Sequence, residues 1–113
     1  MSKKIYIAGP MSGYDNFNYP AFHKAADELR ELGCSVESPA EYEGRPLMPP
    51  TKEDAKPHSY YMREGLNKLL RCQAIYMLPG WQFSEGAKLE HRIAKACGMT
   101  ILYAESGHEG EMP

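Results

Sequence analysis

Four short apolar runs alternate with stretches whose apolar residues recur at helical spacing, and this alternation limits the possible folds more than any other feature. The runs are "KIYIA" (4–8), "CSVES" (34–38), "QAIYML" (73–78) and "MTILY" (99–103). The first is continuous, partly β-branched and stopped by Gly9-Pro10, as a strand buried on both faces would be. In "NYPAFHKAADELRELG", Phe22, Ala25, Ala26, Leu29 and Leu32 share one helical stripe, with Pro20 in the first turn and Gly33 as the stop. "HSYYMREGLNKLLR" is the next helix, with Met62, Leu66, Leu69 and Leu70 facing inward. Alternation of this kind predicts an α/β domain, a parallel sheet with helices on both faces. Right-handed crossovers make strand order 2-1-3-4 the simplest doubly wound, Rossmann-like or flavodoxin-like solution. One such domain over residues 1–103 suits a chain of 113 residues, with 104–113 as a flexible tail. Residues 39–57 hold five prolines and form an irregular excursion, either a mobile lid or a subunit contact.

In sheets of this topology ligands bind beyond the carboxyl ends of the strands where the winding reverses, here between strands one and three. Two segments leave that crevice: "GPMSG" (9–13) and "PGWQFSEG" (79–86). The second opens the helix "SEGAKLEHRIAKACG" (84–98). At 100° per residue, Ala87, Leu89, Ile93, Ala94 and Cys97 form its apolar arc, and Glu85, Lys88, His91, Arg92 and Lys95 lie opposite. Glu90 falls inside the apolar arc, away from Lys88 and Arg92. A buried carboxylate without a partner is too costly to keep without a use, which marks Glu90 as a candidate catalytic group.

Other residues gather round it. Ser84 starts the helix, where it either caps the backbone or, with the free N–H groups, holds an anion; the two roles can coexist. Glu90 lies roughly 9 Å further along the axis, a separation like that between the phosphate and anomeric carbon of a nucleoside 5′-monophosphate. Gly86 would let a ligand approach the backbone closely. Tyr6, midway along strand one, is either ordinary core or a hydroxyl reaching Glu90. Gly9 and Gly13 permit a tight turn around Pro10, Met11 and Ser12. Trp81 either walls the pocket, covers a base or belongs to an interface. Asn18, just before the first long helix, completes the substrate-binding candidates.

Composition narrows the partners. A net charge of −2 without a basic amphipathic stretch points away from nucleic-acid polymers and membrane surfaces. The apolar run within "MSKKIYIAGP" is too short for a signal peptide or a membrane span, so a cytoplasmic location is expected, the host's if the chain is phage-encoded. Cys34, Cys72 and Cys97 show no C-x-x-C spacing and read as reduced, partly buried thiols. Cys/His clustering for a zinc site is absent from the sequence, and no cofactor is expected.

"KIYIAGPMSG", "FNYPAFHKAADELRELGCSVESPAE", "YYMREGLNKLL" and "IYMLPGWQFSEGAKLEHRIA" together resemble the nucleoside 2-deoxyribosyltransferase-like family, in particular its small phage and bacterial branch. The resemblance rests on S-x-G-x-x-x-E (84–90) and the G-P-M turn after strand one, and leaves out the proline-rich loop and the tail. It implies that Glu90 attacks an anomeric carbon, that Tyr6 orients it, and that Ser84 holds a 5′-phosphate as in the family's 2′-deoxynucleoside 5′-phosphate N-hydrolases. It also implies a homodimer or higher homo-oligomer, which Leu47 and Met48 in the excursion support. The chain departs from the family pattern at Gly65 and Gln73, where active members carry aspartates. The first of these helps bind or protonate the base. Glu64 is turned about 100° away on a helix, which makes it a poor substitute, so the proton would come from Asp15, Glu41 or His58, or from water if the base is already activated. The function expected is therefore an N-glycosidase or deoxyribosyltransferase acting on a nucleoside monophosphate or nucleoside. The alternative is a nucleotide-binding module without turnover.

Overall fold

A computed structural model describes residues 3–104; the expected tail, past Ala104, lies outside the described residues. In chain order the elements are β1 (Lys4–Ala8), α1 (Tyr19–Glu31), β2 (Ser35–Glu37), β3 (Glu41–Tyr42), β4 (Arg45–Pro46), α2 (His58–Leu69), β5 (Ala74–Met77), α3 (Glu85–Ala96) and β6 (Thr100–Tyr103). Short 3₁₀ turns cover Asp15–Asn18 and Trp81–Phe83. The main sheet is all parallel, in the order β2-β1-β5-β6. This is the expected order, with a separate hairpin interposed in sequence between its second and third strands.

Alternation along the central strands divides the core into two layers. Ile5 and Ile7 of β1 pack with Phe22, Ala26 and Leu29 of α1 on one face. Tyr6 and Ala8, with Ile75 and Met77 of β5, pack against Leu69 of α2 and Ala87 and Ala94 of α3 on the other. Helices thus cover both faces, and burying each large apolar side chain contributes roughly 1.5–3 kcal/mol. Among the described residues no helix is long and apolar enough to cross a membrane.

Three details differ from the sequence reading. The inward stripe of α3 runs through Ala87, Glu90 and Ala94, while Leu89 is 41% exposed and Cys97 is exposed. Small alanines let the helix lie close to the sheet, and that packing brings Glu90 to the middle of the buried face. Leu70 caps α2 and is 61% exposed, because it is turned away from the sheet one residue past the buried Leu69. The excursion contains the β3–β4 hairpin, whose two turn residues, Glu43 and Gly44, both have positive φ (51° and 79°), as a two-residue type I′ turn requires.

The excursion is also fastened to the helices. The Arg30 guanidinium of α1 donates to both carboxylate oxygens of Glu41 (2.8 and 2.7 Å) and to the Val36 carbonyl. Lys68 Nζ of α2 donates to the carbonyls of Ser38 and Glu41 (2.9 and 2.7 Å). Glu41 is therefore committed to the fold and is not a free proton source.

Candidate active site

Three elements meet at one carboxyl group. Tyr6 lies on the α2/α3 face of β1, and its hydroxyl donates to Glu90 Oε2 at 2.8 Å. Glu90 is 7% exposed and Tyr6 1%. Among the described residues no lysine or arginine forms an ion pair with Glu90. The third element is the bare backbone of α2. A Cβ added at Gly65 would stand 2.6 Å from Glu90 Oε2 and 2.7 Å from the Tyr6 hydroxyl. Gly65 thus leaves the space in which the pair sits, and an aspartate there would not fit without displacing Glu90.

Burial sets the electrostatics. Removal from water pushes the Glu90 carboxyl up to about 7, against the opposing pull of the Tyr6 hydrogen bond. Burial first, and then the adjacent Glu90, hold the Tyr6 hydroxyl well above its ordinary range, which keeps it a donor. The carboxyl therefore exchanges between its protonated and its ionised form near neutral pH. Replacing Tyr6 with Phe removes the interaction that favours ionised Glu90. The pH at which Glu90 titrates, followed by NMR, should move upward. A Y6F titration curve that overlays the parent's would show that the hydroxyl does not orient the carboxylate.

Glu90 opens into a cavity of about 280 Å³, near the lower end of the range for small-molecule sites. Tyr6, Gly9, Met11, Ser12, Ser84 and Gly86 line it with Glu90, as the sequence suggested. Ser84 is the N-cap of α3, its Oγ accepting from the Ala87 N–H at 3.1 Å. Gly9 is held against Leu78, whose Cβ would lie 2.8 Å from a side chain placed there.

Other candidates fall elsewhere. Pro10, Gly13, Asn18 and Trp81 are not among the residues lining the cavity. Asn18 Nδ2 donates to the Pro10 carbonyl (3.0 Å), so this pair shapes the loop after β1. Gly13 takes φ +84° in the same loop. Trp81 stacks on His91, ring centroids 4.3 Å apart, instead of walling the cavity. Asp15, like Glu41, is not part of the lining, whereas His58 is.

The sequence reading missed several wall residues. Glu64 lines the cavity despite its helical offset, because the cavity spreads across α2 beside the bare Gly65. Pro50, Ala55 and Lys56 bring the proline-rich excursion to the cavity as a wall. Phe17, Tyr19 and Tyr61 add aromatic surface. Only the aromatic content of "YDNFNY" and "SYY" hints at these, and it does not say which rings turn inward. Among the described residues no group of three or more His, Cys, Asp or Glu is placed to hold a metal ion.

The family model described as "Domain of unknown function (DUF4406)" matches residues 3–103. The chain is also similar in structure to a solved conserved protein from Enterococcus faecalis V583, with a TM-score of 0.68 and 19% identity. That alignment covers 94% of this chain but 65% of the other, so this chain spans under two thirds of its length. At such identity the likeness speaks for the fold alone. No curated protein matches the chain.

Proposed function

The chain belongs to the DUF4406 family, and from its Glu90 site we propose that it is a nucleotide N-glycosidase that cleaves the base–sugar bond of a nucleoside 5′-monophosphate. The observation that carries this reading is a buried carboxyl, aligned by Tyr6 and free of any cationic partner among the described residues, facing a cavity of small-molecule size. The resemblance of S-x-G-x-x-x-E to nucleoside deoxyribosyltransferase-like enzymes supports it.

In the reaction, ionised Glu90 attacks the anomeric carbon as the C–N bond breaks, and the base leaves with the bonding pair and takes up a proton. The positive charge that develops on the sugar is stabilised by the same carboxylate in a poorly hydrated site. Water then hydrolyses the glycosyl ester and restores Glu90; capture by a second base would make the reaction a transfer. His58, Lys56, Tyr61 and Glu64 are wall residues from which the proton could come. The phosphate would lie at the start of α3, against Ser84 and the free N–H groups, and this favours hydrolysis of a monophosphate.

Incubation with deoxyribonucleoside and ribonucleoside monophosphates, followed by chromatography, should reveal free base. Replacing Ser84 with Ala should raise KM roughly tenfold for monophosphates and little for nucleosides, and cost about 1 kcal/mol through loss of the cap. Equal KM changes for both would remove the phosphate from this position. One observation favours a second reading, a binding module without turnover. At position 65, where the deoxyribosyltransferase-like enzymes it resembles carry an aspartate, this chain has a glycine packed against Glu90 and Tyr6 and lacks that carboxylate. Nucleotides that raise the Tm of the wild-type chain without release of base would decide for it.

A further inference from the structure

Residues 16–18 carry backbone strain in the connection between β1 and α1. Asn16, Phe17 and Asn18 all lie in the left-handed region, at φ 54°, 53° and 62°. Asparagine tolerates this conformation, but a bulky residue such as phenylalanine is an outlier there. Such strain persists only where neighbouring contacts impose it, and it concentrates at ligand clamps. Here the contacts are specific. The Phe17 N–H donates to the Tyr14 carbonyl, the Tyr19 N–H to the Asn16 carbonyl, and Asn18 Nδ2 to the Pro10 carbonyl. The loop that leaves β1 beside the reactive carboxyl is thereby tied to the turn.

The result is an aromatic wall. Phe17 lines the cavity that contains Glu90, and its ring lies 6.5 Å from that of Tyr19, tilted by 56°. Tyr61 of α2 lines the same cavity and is near enough to act electrostatically on the Tyr19 hydroxyl. Phe17 remains 36% exposed, so part of its surface is left for a ligand. Stacking suits a nucleobase, whose flat faces are sequence-tolerant partners for aromatic rings.

We propose that the left-handed turn at 16–18 holds Phe17 in the cavity wall as the surface on which the leaving base stacks, making Phe17 a base-binding residue. The inference rests on the nucleotide reading of the Glu90 site and adds to it the means by which the base is recognised. Calorimetric titration of Glu90→Gln protein, which binds without turnover, tests it with two probes, the 2′-deoxynucleoside 5′-monophosphates and 2-deoxyribose 5-phosphate. Adding Phe17→Ala should raise Kd for the nucleotides roughly tenfold and leave Kd for the sugar phosphate within about twofold. Phe17→Tyr, which keeps the ring, should bind both probes as the parent does. If the alanine variant does not fold, Phe17→Leu replaces it, with the same expected direction. Undiminished nucleotide affinity, or equal weakening of both probes, overturns the stacking role while leaving the glycosidase reading intact. If the Glu90→Gln protein binds neither probe and the wild type releases no base, the nucleotide reading fails and the stacking role fails with it.

Discussion

Glu90→Gln should reduce base release by at least roughly 10³-fold and at the same time stabilise the protein above neutral pH. The two effects have one cause. The Glu90 carboxyl sits at about 7 in the folded chain because burial disfavours its charge; unfolded, it returns to the ordinary range of about 4.3. Between those values the folded state binds more protons than the unfolded state, so stability falls as pH rises, and above about pH 7 the full penalty remains. Its size is on the order of 3 kcal/mol. Glutamine carries no charge to desolvate and can still accept from Tyr6. The Tm advantage of E90Q should therefore be small at pH 5 and grow by roughly 10 °C by pH 8. Thermal melts at the two pH values, alongside the chromatographic assay, check both halves. A gap that shrinks with rising pH would mean that the carboxylate is favourably solvated, against the basis of the proposed chemistry.

Gly65→Ala should inactivate without a matching loss of stability. Ala is the better helix former by about 1 kcal/mol, but its Cβ would fall 2.6 Å from Glu90 Oε2. Overpacking of this kind typically costs about 1–3 kcal/mol, so the net change in stability should be at most about 2 kcal/mol. Activity depends on geometry more steeply. Relief of the clash moves Glu90, Tyr6 or α2 by something near an ångström, a misplacement that can cost about 10²-fold. Gly65→Asp should do no better, because the added carboxylate meets Glu90 before it can reach a base. Steady-state kinetics with denaturant melts on both variants would measure the split. Activity of Gly65→Ala within threefold of the parent would show that Glu90 need not occupy its present position.

The sheet was legible because strand and helix periodicities change cleanly along the chain, and the strand order followed from handedness. Glu90 was legible because a helix projects its residues by simple rotation. Legibility stopped where packing, and not periodicity, decides. Leu89 looks like core in projection, but Ala87 and Ala94 bring a different stripe of α3 to the sheet. Gly65 carries no side chain to read, so sequence presents it as a missing aspartate, whereas the fold presents it as reserved volume. The Glu43-Gly44 turn lacks the asparagine or aspartate that announces a hairpin. Phe17 occupies a conformation that no local rule assigns to phenylalanine. Trp81 was noticed for its size and place, but neither says which way a ring turns; His91 does.

Tyr6 and Glu90 stand 84 residues apart, with Gly65 between them in the chain and against both in space. No fragment that lacks α3 can hold this constellation. Until α3 docks, the Glu90 carboxyl remains in water and behaves as any surface glutamate. The step that completes the hydrophobic layer is also the step that takes the Glu90 carboxyl out of water, so its raised pKa belongs to the assembled fold alone.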